Sequence, residues 1–298
     1  MSVLRTRLGF AAVAAVVAVL IGACGSSGSS SSSSSASSTS SGSGGAASST
    51  STAAAASSSK TYVVITSADF PPFSSRSASD PNTIVGFEPD MIKAVMAHLG
   101  WKYKWVTADF NGLIPAVQSG RADMVVSDVY DTATREKVVD FIDYLKTALS
   151  LMVTSSNASK VHGFMDVCGK PMGILTGAST ELQFATQASQ ACKKAGKPAI
   201  DIRSFSAVAQ EIPALQNGNL YAMFEDTITE HLIANKQTNF KVVYDDPQAA
   251  TPLGIAIKKG SPALAQIKSG MQWYMSSPQY KATASKWGLP ASALLSSP

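Results

Sequence analysis

One segment of the sequence occurs twice, and this repeat constrains the fold more than any other feature. Residues 114–128 read IPAVQSGRADMVVSD and residues 212–226 read IPALQNGNLYAMFED, a spacing of 98 residues. Each copy has the pattern of a helix, a glycine turn and an apolar strand, which spans residues 122–127 in the first copy. A repeat this long indicates two lobes of similar build rather than a solenoid. The copies end in Asp128 and Asp226, at the carboxyl ends of strands, where open α/β sheets bind ligands.

The stretch that follows the first copy contains a cation in an unusual position. Asn111 is predicted to cap the helix of the repeat, Gly120 to end it in a left-handed conformation, and Thr132 to cap a second helix. Arg135 would then lie in the first turn of that second helix, where the macrodipole favours Asp or Glu. A cation beside free backbone N–H groups predicts an anion site. The alternative is a solvated helix residue.

The first 59 residues are predicted to lie outside the fold. A basic start precedes an apolar run at residues 8–21, which is typical of a signal peptide. Cys24 follows Ile, Gly and Ala, and this motif resembles the bacterial lipobox, in which the cysteine is lipidated; the alternative is an ordinary cleavage site with an incidental cysteine. We therefore predict a signal peptide over residues 1–23. Residues 24–59, almost wholly Ser, Ala, Gly and Thr, are predicted to be a lipid anchor and a disordered tether.

Charge and motif content exclude several classes of function. The formal net charge is +4, or +2 without Arg5 and Arg7, which favours neither nucleic acid nor a polybasic membrane patch as a partner. His98, His162 and His231 lack metal-ligand spacing. The folded region has no G-x-S-x-G, H-E-x-x-H or G-x-G-x-x-G motif. We predict no catalytic residue, no metal and no cofactor.

Two cysteines remain when Cys24 is assigned to a lipid. Cys168 and Cys192 would form a disulfide in an exported chain, and the alternative is a pair of free buried thiols. Closing a loop of this size would add roughly 3 kcal/mol by the chain-entropy model.

Strand and helix patterns alternate through residues 60–298. Two prolines predict an irregular loop over residues 67–75, and Thr180 with Gln183 has the spacing of a capping box. Outside the repeat, strands are predicted at 61–66, 101–106, 148–153, 168–175, 241–246 and 254–258, and helices at 92–100, 227–236, 262–275 and 277–287.

This alternation predicts two α/β lobes with largely parallel sheets. Residues 60–146 and 250–298 would form lobe 1, and residues 147–249 would form lobe 2. The chain would cross between the lobes near residues 144–148 and 247–251, and the two crossing strands would act as a hinge beside a ligand cleft.

Several motifs together resemble the bacterial extracellular solute-binding proteins of the polar amino acid type, family 3, which feed ABC importers. The resemblance extends over residues 61–290. GFEPDM at 86–91 is similar to the family's G-F-D-x-D signature, with Glu88 for the commoner Asp, whereas Pro89 and Met96 depart from the usual pattern. The other matching motifs are DFNGLIPAVQSGRADMVVSD at 109–128, DTATRE at 131–136 and KWGLP at 286–290. The resemblance implies a periplasmic binding protein type II-like fold, with two similar Rossmann-like lobes joined by a two-strand hinge.

The resemblance also implies a binding site for a zwitterion. Arg135 would clamp the α-carboxylate with its planar fork, helped by N–H groups of the TGAST turn that contains Ser179 and Thr180. Asp226 would receive the α-ammonium, although it could instead only cap the helix that starts at Thr227. The remaining implied contacts are Phe70 and Phe110, stacked around the aliphatic part, and Ser127.

Three positions differ from relatives that bind basic amino acids. Ser67 stands where some of them carry Asp, and Asp128 and Tyr130 stand where some carry small hydroxyl residues. The alternative for Asp128 is a hydrogen bond within its own turn. These differences leave open which amino acid is bound.

The function implied is that of a lipid-anchored, monomeric receptor on the extracytoplasmic face of the membrane. It would bind an amino acid and deliver it to the transmembrane subunits of an ABC permease and their ATPase. One alternative is a dehydratase of cyclic amino acid precursors on the same architecture, with Asp128 as general acid. Another is a ligand-sensing module that docks onto a signalling partner.

Overall fold

The computed structural model describes residues 60–298, along which strands and helices alternate. The strands are β1 (Thr61–Thr66), β2 (Asp69–Phe70), β3 (Ser74–Arg76), β4 (Ile84–Val85), β5 (Lys102–Thr107), β6 (Met124–Val125), β7 (Val139–Thr154), β8 (Pro171–Leu175), β9 (Asp201–Phe205), β10 (Ala222–Asp226) and β11 (Phe240–Lys258). The helices are α1 (Phe87–Leu99), α2 (Leu113–Gln118), α3 (Ser179–Lys194), α4 (Val208–Gln216), α5 (Thr227–Lys236), α6 (Leu264–Ser276) and α7 (Pro278–Lys286). The predicted signal peptide, Cys24 and the tether lie outside the described residues.

The main sheet has eight strands in the order β5-β1-β6-β11-β7-β10-β8-β9. On one side β1 pairs in parallel with β5 and β6, and on the other β8 pairs in parallel with β9 and β10. Between these two wings, β7 and β11 run antiparallel to each other over almost their whole length. The predicted architecture of two α/β lobes joined by two strands is therefore confirmed. The predicted lobe boundaries fall within β7 and β11 and stay a prediction.

The two copies of the repeat fold alike. The first copy forms α2 and β6, and the second forms α4 and β10. Gly120 (φ +76°) and Gly218 (φ +77°) follow the two helices at matching positions, and both adopt the left-handed conformation that favours glycine. The predicted glycine turn is thus confirmed, although β6 is shorter than the predicted strand at residues 122–127.

Two predicted helix caps are wrong. Asn111 lies inside a 3₁₀ turn, Phe110–Gly112, that precedes α2, and its side chain makes no cap hydrogen bond. Thr180 lies inside the first turn of α3 after an Ala178 N-cap, so Thr180 and Gln183 form no capping box. In both places the chain enters the helix at a different residue from the one that the local pattern indicates.

Two predicted irregular segments are strands. Residues 67–75 contain β2 and the start of β3, which form a separate three-stranded sheet with β4. The two prolines lie in the turn between β2 and β3, where neither has to donate to a ladder. The predicted crossover at Pro247–Thr251 lies inside the continuous strand β11, at a register shift between Asp246 and Thr251. Such a shift lets an irregular segment continue through a sheet.

The predicted disulfide is present. Cys168 and Cys192 are bonded, with 5.6 Å between their Cα atoms, and the bond links the segment before β8 to the last turns of α3. In residues 60–298, no helix has both the length and the apolar character needed to cross a membrane.

Candidate functional site

The predicted ligand residues gather where strands of both wings end. Ser67 follows β1, Ser127 and Asp128 follow β6, and Asp226 ends β10. Ser67 donates its backbone N–H to the Ser127 hydroxyl at 3.0 Å, which ties the first two strand ends together. Phe70 and Phe110 lie close by on the first wing, with ring centroids 6.4 Å apart.

Arg135 is a buried cation that forms no salt bridge with a carboxylate in residues 60–298. Its side chain is 8% exposed, and its guanidinium donates to the carbonyl oxygens of Tyr130 (3.0 Å) and Gly177 (3.4 Å). Within the described part of the chain, the ion pairs with N–O distances up to 4.0 Å do not include Arg135. Burial lowers the pKa of Arg135, and the negative charge of Glu181 opposes that effect. A guanidinium has more N–H donors than these two carbonyls occupy, so the group can still bind an anion.

The segment that contains Arg135 differs from the prediction in one respect. The expected helix is only a 3₁₀ turn, Arg135–Lys137, although Thr132 does accept the Arg135 N–H at 3.3 Å. Such a short turn has no macrodipole worth considering, so the predicted conflict between dipole and cation does not exist. Burial, and the lack of a salt bridge within residues 60–298, mark Arg135 instead.

Asp226 lies on the second wing and uses its two carboxylate oxygens differently. Oδ1 accepts the Thr229 N–H at 3.0 Å, so Asp226 caps α5, as the alternative reading of this residue predicted. Oδ2 lies 3.1 Å from the Tyr130 hydroxyl of the first wing. Burial raises the pKa of Asp226 to about 6, although the hydrogen bonds to the carboxylate act in the opposite direction.

Tyr130 contacts both Arg135 and Asp226, and its single hydroxyl proton lies near two acceptor oxygens. Its carbonyl accepts from Arg135, and its hydroxyl lies 3.0 Å from the Ala148 carbonyl and 3.1 Å from Asp226 Oδ2. Burial raises the pKa of Tyr130 well above its ordinary value, so the phenol keeps its proton. A hydroxyl has a single hydrogen and cannot donate fully to both acceptors. When the phenol donates to Ala148, Asp226 Oδ2 needs a donor from elsewhere.

Asp128 is buried, and its surroundings favour the protonated carboxyl group. Its φ of +50° is unusual for a residue other than glycine, and its N–H donates to Glu88 Oε1 at 2.7 Å. Burial, then the charges of Asp226 and Glu88, raise the pKa of Asp128 well above its ordinary value. Its Oδ1 is buried without a hydrogen-bond partner in the residues described, and both interpretations of Asp128 stay predictions.

The turn before α3 presents the Gly177 carbonyl to Arg135, and the N–H contacts expected from this turn to a ligand carboxylate stay a prediction. Ser179 is exposed, whereas Thr180 is buried with its hydroxyl unpartnered within residues 60–298. A Cβ at Gly177 would lie 2.8 Å from the Asn111 Cα, so the turn touches the first wing backbone to backbone.

Glu181 was missed by sequence reasoning. It lies in the first turn of α3, is buried, and has charge interactions with both Arg135 and Asp226. Burial raises its pKa to about 7. An acid in a first helical turn is common, so nothing in the local pattern separates Glu181 from an ordinary dipole partner.

The cavity next to Arg135 is small. A cavity of about 90 Å³ lies beside Arg135 and is also lined by Phe110, Ile114, Val129 and Gly177. A larger cavity of about 1110 Å³ lies between α7 and the C-terminal residues, away from the charged side chains described above. The charge arrangement rather than cavity size identifies the candidate site. In the region that the structure covers, no group of His, Cys, Asp and Glu could hold a metal ion.

Two α/β wings, joined by two long strands and meeting at buried charges, define a periplasmic binding protein of type II fold. The model of the bacterial extracellular solute-binding proteins, family 3, matches residues 62–290, and the chain belongs to this family.

Individual relatives agree with this assignment. The arginine-binding extracellular protein ArtP of Bacillus subtilis is 27% identical, covering 76% of this chain and 86% of that protein. The ABC transporter arginine-binding protein 1 of Escherichia coli is 28% identical, covering 67% of this chain and 79% of its own length. A crystal structure of the ancestral amino acid-binding protein AncCDT-1, a precursor of cyclohexadienyl dehydratase, is 28% identical with a TM-score of 0.68, and the match covers 76% of this chain and 95% of that one.

Proposed function

We propose that this chain binds an α-amino acid between its two wings, with Arg135 on the carboxylate and Asp226 on the ammonium. The observation that carries the proposal is the buried guanidinium of Arg135, which forms no salt bridge within 4.0 Å in the described residues. A buried charge left unpaired costs several kcal/mol, so such a group is expected to acquire an anion. The planar fork of arginine matches a carboxylate in a bidentate manner.

The ammonium assignment rests on the proton count at Tyr130. Its single hydroxyl proton faces both Ala148 O and Asp226 Oδ2. A ligand ammonium beside Oδ2 would add donors, which lets the phenol donate to Ala148 while Asp226 stays ionised. Both polar ends of a zwitterion would then have partners, and the aromatic rings of Phe70 and Phe110 would cover its apolar part.

Ligand binding would favour the form in which the wings are in contact. Arg135 reaches Gly177 and Tyr130 reaches Asp226, so both charged ends of the site include contacts from the two wings. A ligand that completes both pairings only when the wings meet binds that form better, and differential affinity shifts the population toward it.

The delivery step is proposed from the relatives and the N-terminal sequence. The two relatives above are named as arginine-binding proteins, and the name of one of them refers to an ABC transporter. We propose that the chain delivers its ligand to the transmembrane subunits of such a transporter, as a monomer held outside the cell by a lipid on Cys24.

The binding proposal is tested first by a thermal-shift screen of the amino acids. A ligand at a hundred times its Kd adds about 2.7 kcal/mol to the free energy of unfolding. A clear rise in Tm with at least one amino acid is expected. No shift with any of them at millimolar concentration contradicts the proposal.

Asp226→Asn is expected to weaken binding of the amino acid identified in the screen far more than binding of its deaminated analogue. The amide cannot offer an ionised oxygen to the ammonium, but Asn caps helices as well as Asp does, so α5 should stay intact. Calorimetry with both ligands measures the difference. Equal losses for the two ligands would remove the ammonium assignment.

Cys24→Ala is expected to release the protein from the membrane fraction, because the lipidation site is lost. Fractionation followed by immunoblotting measures the change. The matched control is Cys168→Ala with Cys192→Ala, which removes the other two cysteines and should leave the protein with the membrane. A Cys24→Ala protein that still sediments with membranes means that the lipobox reading is wrong.

A second candidate function has one observation in its favour. Burial keeps the pKa of Asp128 well above its ordinary value, so this carboxyl group holds a proton that a general acid could donate. Formation of product from arogenate or prephenate by the purified protein would support the dehydratase alternative. The Asp128→Asn variant should then lose this turnover. An Asp128→Asn variant with unchanged turnover would show that any activity comes from elsewhere.

A further inference from the structure

A glutamate in the first turn of α1 has no place in the site described above, yet it holds part of that site. Glu88 is 0% exposed, and its backbone N–H donates to the Phe73 carbonyl at 3.0 Å. Gly86, just before the helix, has φ +146°, and a Cβ there would lie 2.0 Å from the same carbonyl oxygen. This close approach fixes where α1 begins and therefore directs Glu88 into the interior.

The Glu88 carboxylate meets two donors from separate parts of the chain. Oε1 accepts the Asp128 N–H at 2.7 Å and also accepts the Tyr144 hydroxyl. Asp128 begins the loop that carries Tyr130 and Arg135, and Tyr144 lies on β7, one of the two strands that join the wings. Tyr144 is held in turn by its carbonyl, which accepts the Tyr280 hydroxyl at 2.5 Å. A single oxygen atom thus connects α1, the site loop and a connecting strand.

The bond to Asp128 acts at a place where the backbone needs support. A left-handed conformation is unfavourable for most residues other than glycine, although less so for Asp and Asn, and Asp128 adopts one at φ +50°. A change in that conformation would move the residues that follow. Two residues later lies the Tyr130 carbonyl that accepts from Arg135.

We propose that Glu88 is a positioning residue for the ligand site: it holds the Asp128 backbone in its left-handed conformation and ties it to Tyr144 on β7. The expected effect of Glu88 on ligand binding rests on the proposed function. The effect on the backbone itself is independent of any ligand.

The main test replaces Glu88 by methionine, which has a similar length but cannot accept these hydrogen bonds. Glu88→Met is expected to lower amino acid affinity roughly 10- to 100-fold, as for the loss of hydrogen bonds to a charged group. It should also accelerate hydrogen–deuterium exchange of residues 127–131 without ligand. Glu88→Gln keeps an acceptor oxygen and should restore both properties to within about 3-fold of the wild type. The matched control is Asp90→Asn, which alters a carboxylate of the same turn that faces Lys286 and Trp287, and it should change neither.

A second variant covers the case in which Glu88→Met does not fold. Glu88→Met with Tyr144→Phe removes both partners, so no buried hydroxyl is left unpaired and folding should recover. The Asp128 N–H still lacks its acceptor, so faster exchange at residues 127–131 is expected again. Unchanged exchange in either folded variant overturns the proposal. If no amino acid binds the wild type, the binding proposal fails, while the exchange experiment still decides the role of Glu88.

Discussion

Arg135→Ala is expected to weaken amino acid binding by roughly 2–5 kcal/mol, which is a factor of about 30 to about 5,000 in Kd. In the wild type the guanidinium is buried, and its polar contacts in the described residues are two carbonyl oxygens. The variant would leave a ligand carboxylate in the same buried place without a cation. When one partner of a buried charge pair is removed, most of the lost binding free energy comes from the remaining charge, which stays buried without a partner.

Calorimetry with the ligand from the thermal-shift screen measures this loss. Arg135→Lys keeps the charge but not the planar fork, so its affinity should lie between those of the wild type and Arg135→Ala. The matched control is Arg121→Ala, which removes an exposed arginine from the turn between α2 and β6 and should leave Kd unchanged. Near-normal binding by a folded Arg135→Ala protein would remove Arg135 from the site.

The free energy of unfolding is expected to fall as the pH rises from about 5 to about 8, because of three buried glutamates of the second wing. Glu211 on α4, Glu225 on β10 and Glu230 on α5 are all fully buried. Burial raises the pKa of Glu211 to about 8. Burial and the charge of Glu211 raise the pKa of Glu225 well above its ordinary value, and Glu230 responds in the same way. Gly173 makes room for this group, since a Cβ there would lie 2.7 Å from Glu211 Oε2.

The sign follows from proton linkage. In the unfolded chain a glutamate loses its proton near pH ~4.3, whereas these groups keep theirs in the folded protein to a much higher pH. The folded state therefore binds more protons between these values, and stability falls by about 1.4 kcal/mol per pH unit for each proton retained. The stabilisation is complete below the unfolded pKa and is lost as the pH rises through the folded pKa. Buried Glu88, Glu181 and Asp226 act in the same direction.

Thermal unfolding between pH 5 and 8 measures this effect. The variant Glu211→Gln, Glu225→Gln and Glu230→Gln cannot lose these protons, so its Tm should depend much less on pH than that of the wild type. Glu136→Gln, which changes an exposed glutamate, is the control and should keep the wild-type slope. A wild-type Tm that rises over this pH range would contradict the assignment of these carboxyl groups as protonated.

The sequence predicted features that depend on neighbouring residues. The glycine turns at Gly120 and Gly218 follow from conformational preference, and helix α5 begins at the predicted residue because Asp226 caps it. The disulfide followed from the pairing of the two cysteines left over. In these cases the cause lies within a few residues or in the chemistry of one side chain.

The features that the sequence did not predict depend on distant contacts. The Tyr130 hydroxyl and Asp226 are 96 positions apart, so no local pattern shows that they meet. The same holds for Glu88, which is 40 positions from Asp128 and whose role depends on how α1 packs. The expected helix at Arg135 was wrong: Thr132 accepts the Arg135 N–H, but the segment forms only a 3₁₀ turn of three residues. Residue types alone did not distinguish the buried Glu181 from a solvated one.

The disulfide has a consequence for how the two halves respond to a reducing environment. Both of its cysteines belong to the stretch of chain between β7 and β11, so the bond reinforces the second wing and does not fasten it to the first. Loss of the bond would loosen one half internally and leave its attachment to the other half unchanged. The proposed movement of the wings is therefore expected not to depend on the oxidation state of Cys168 and Cys192.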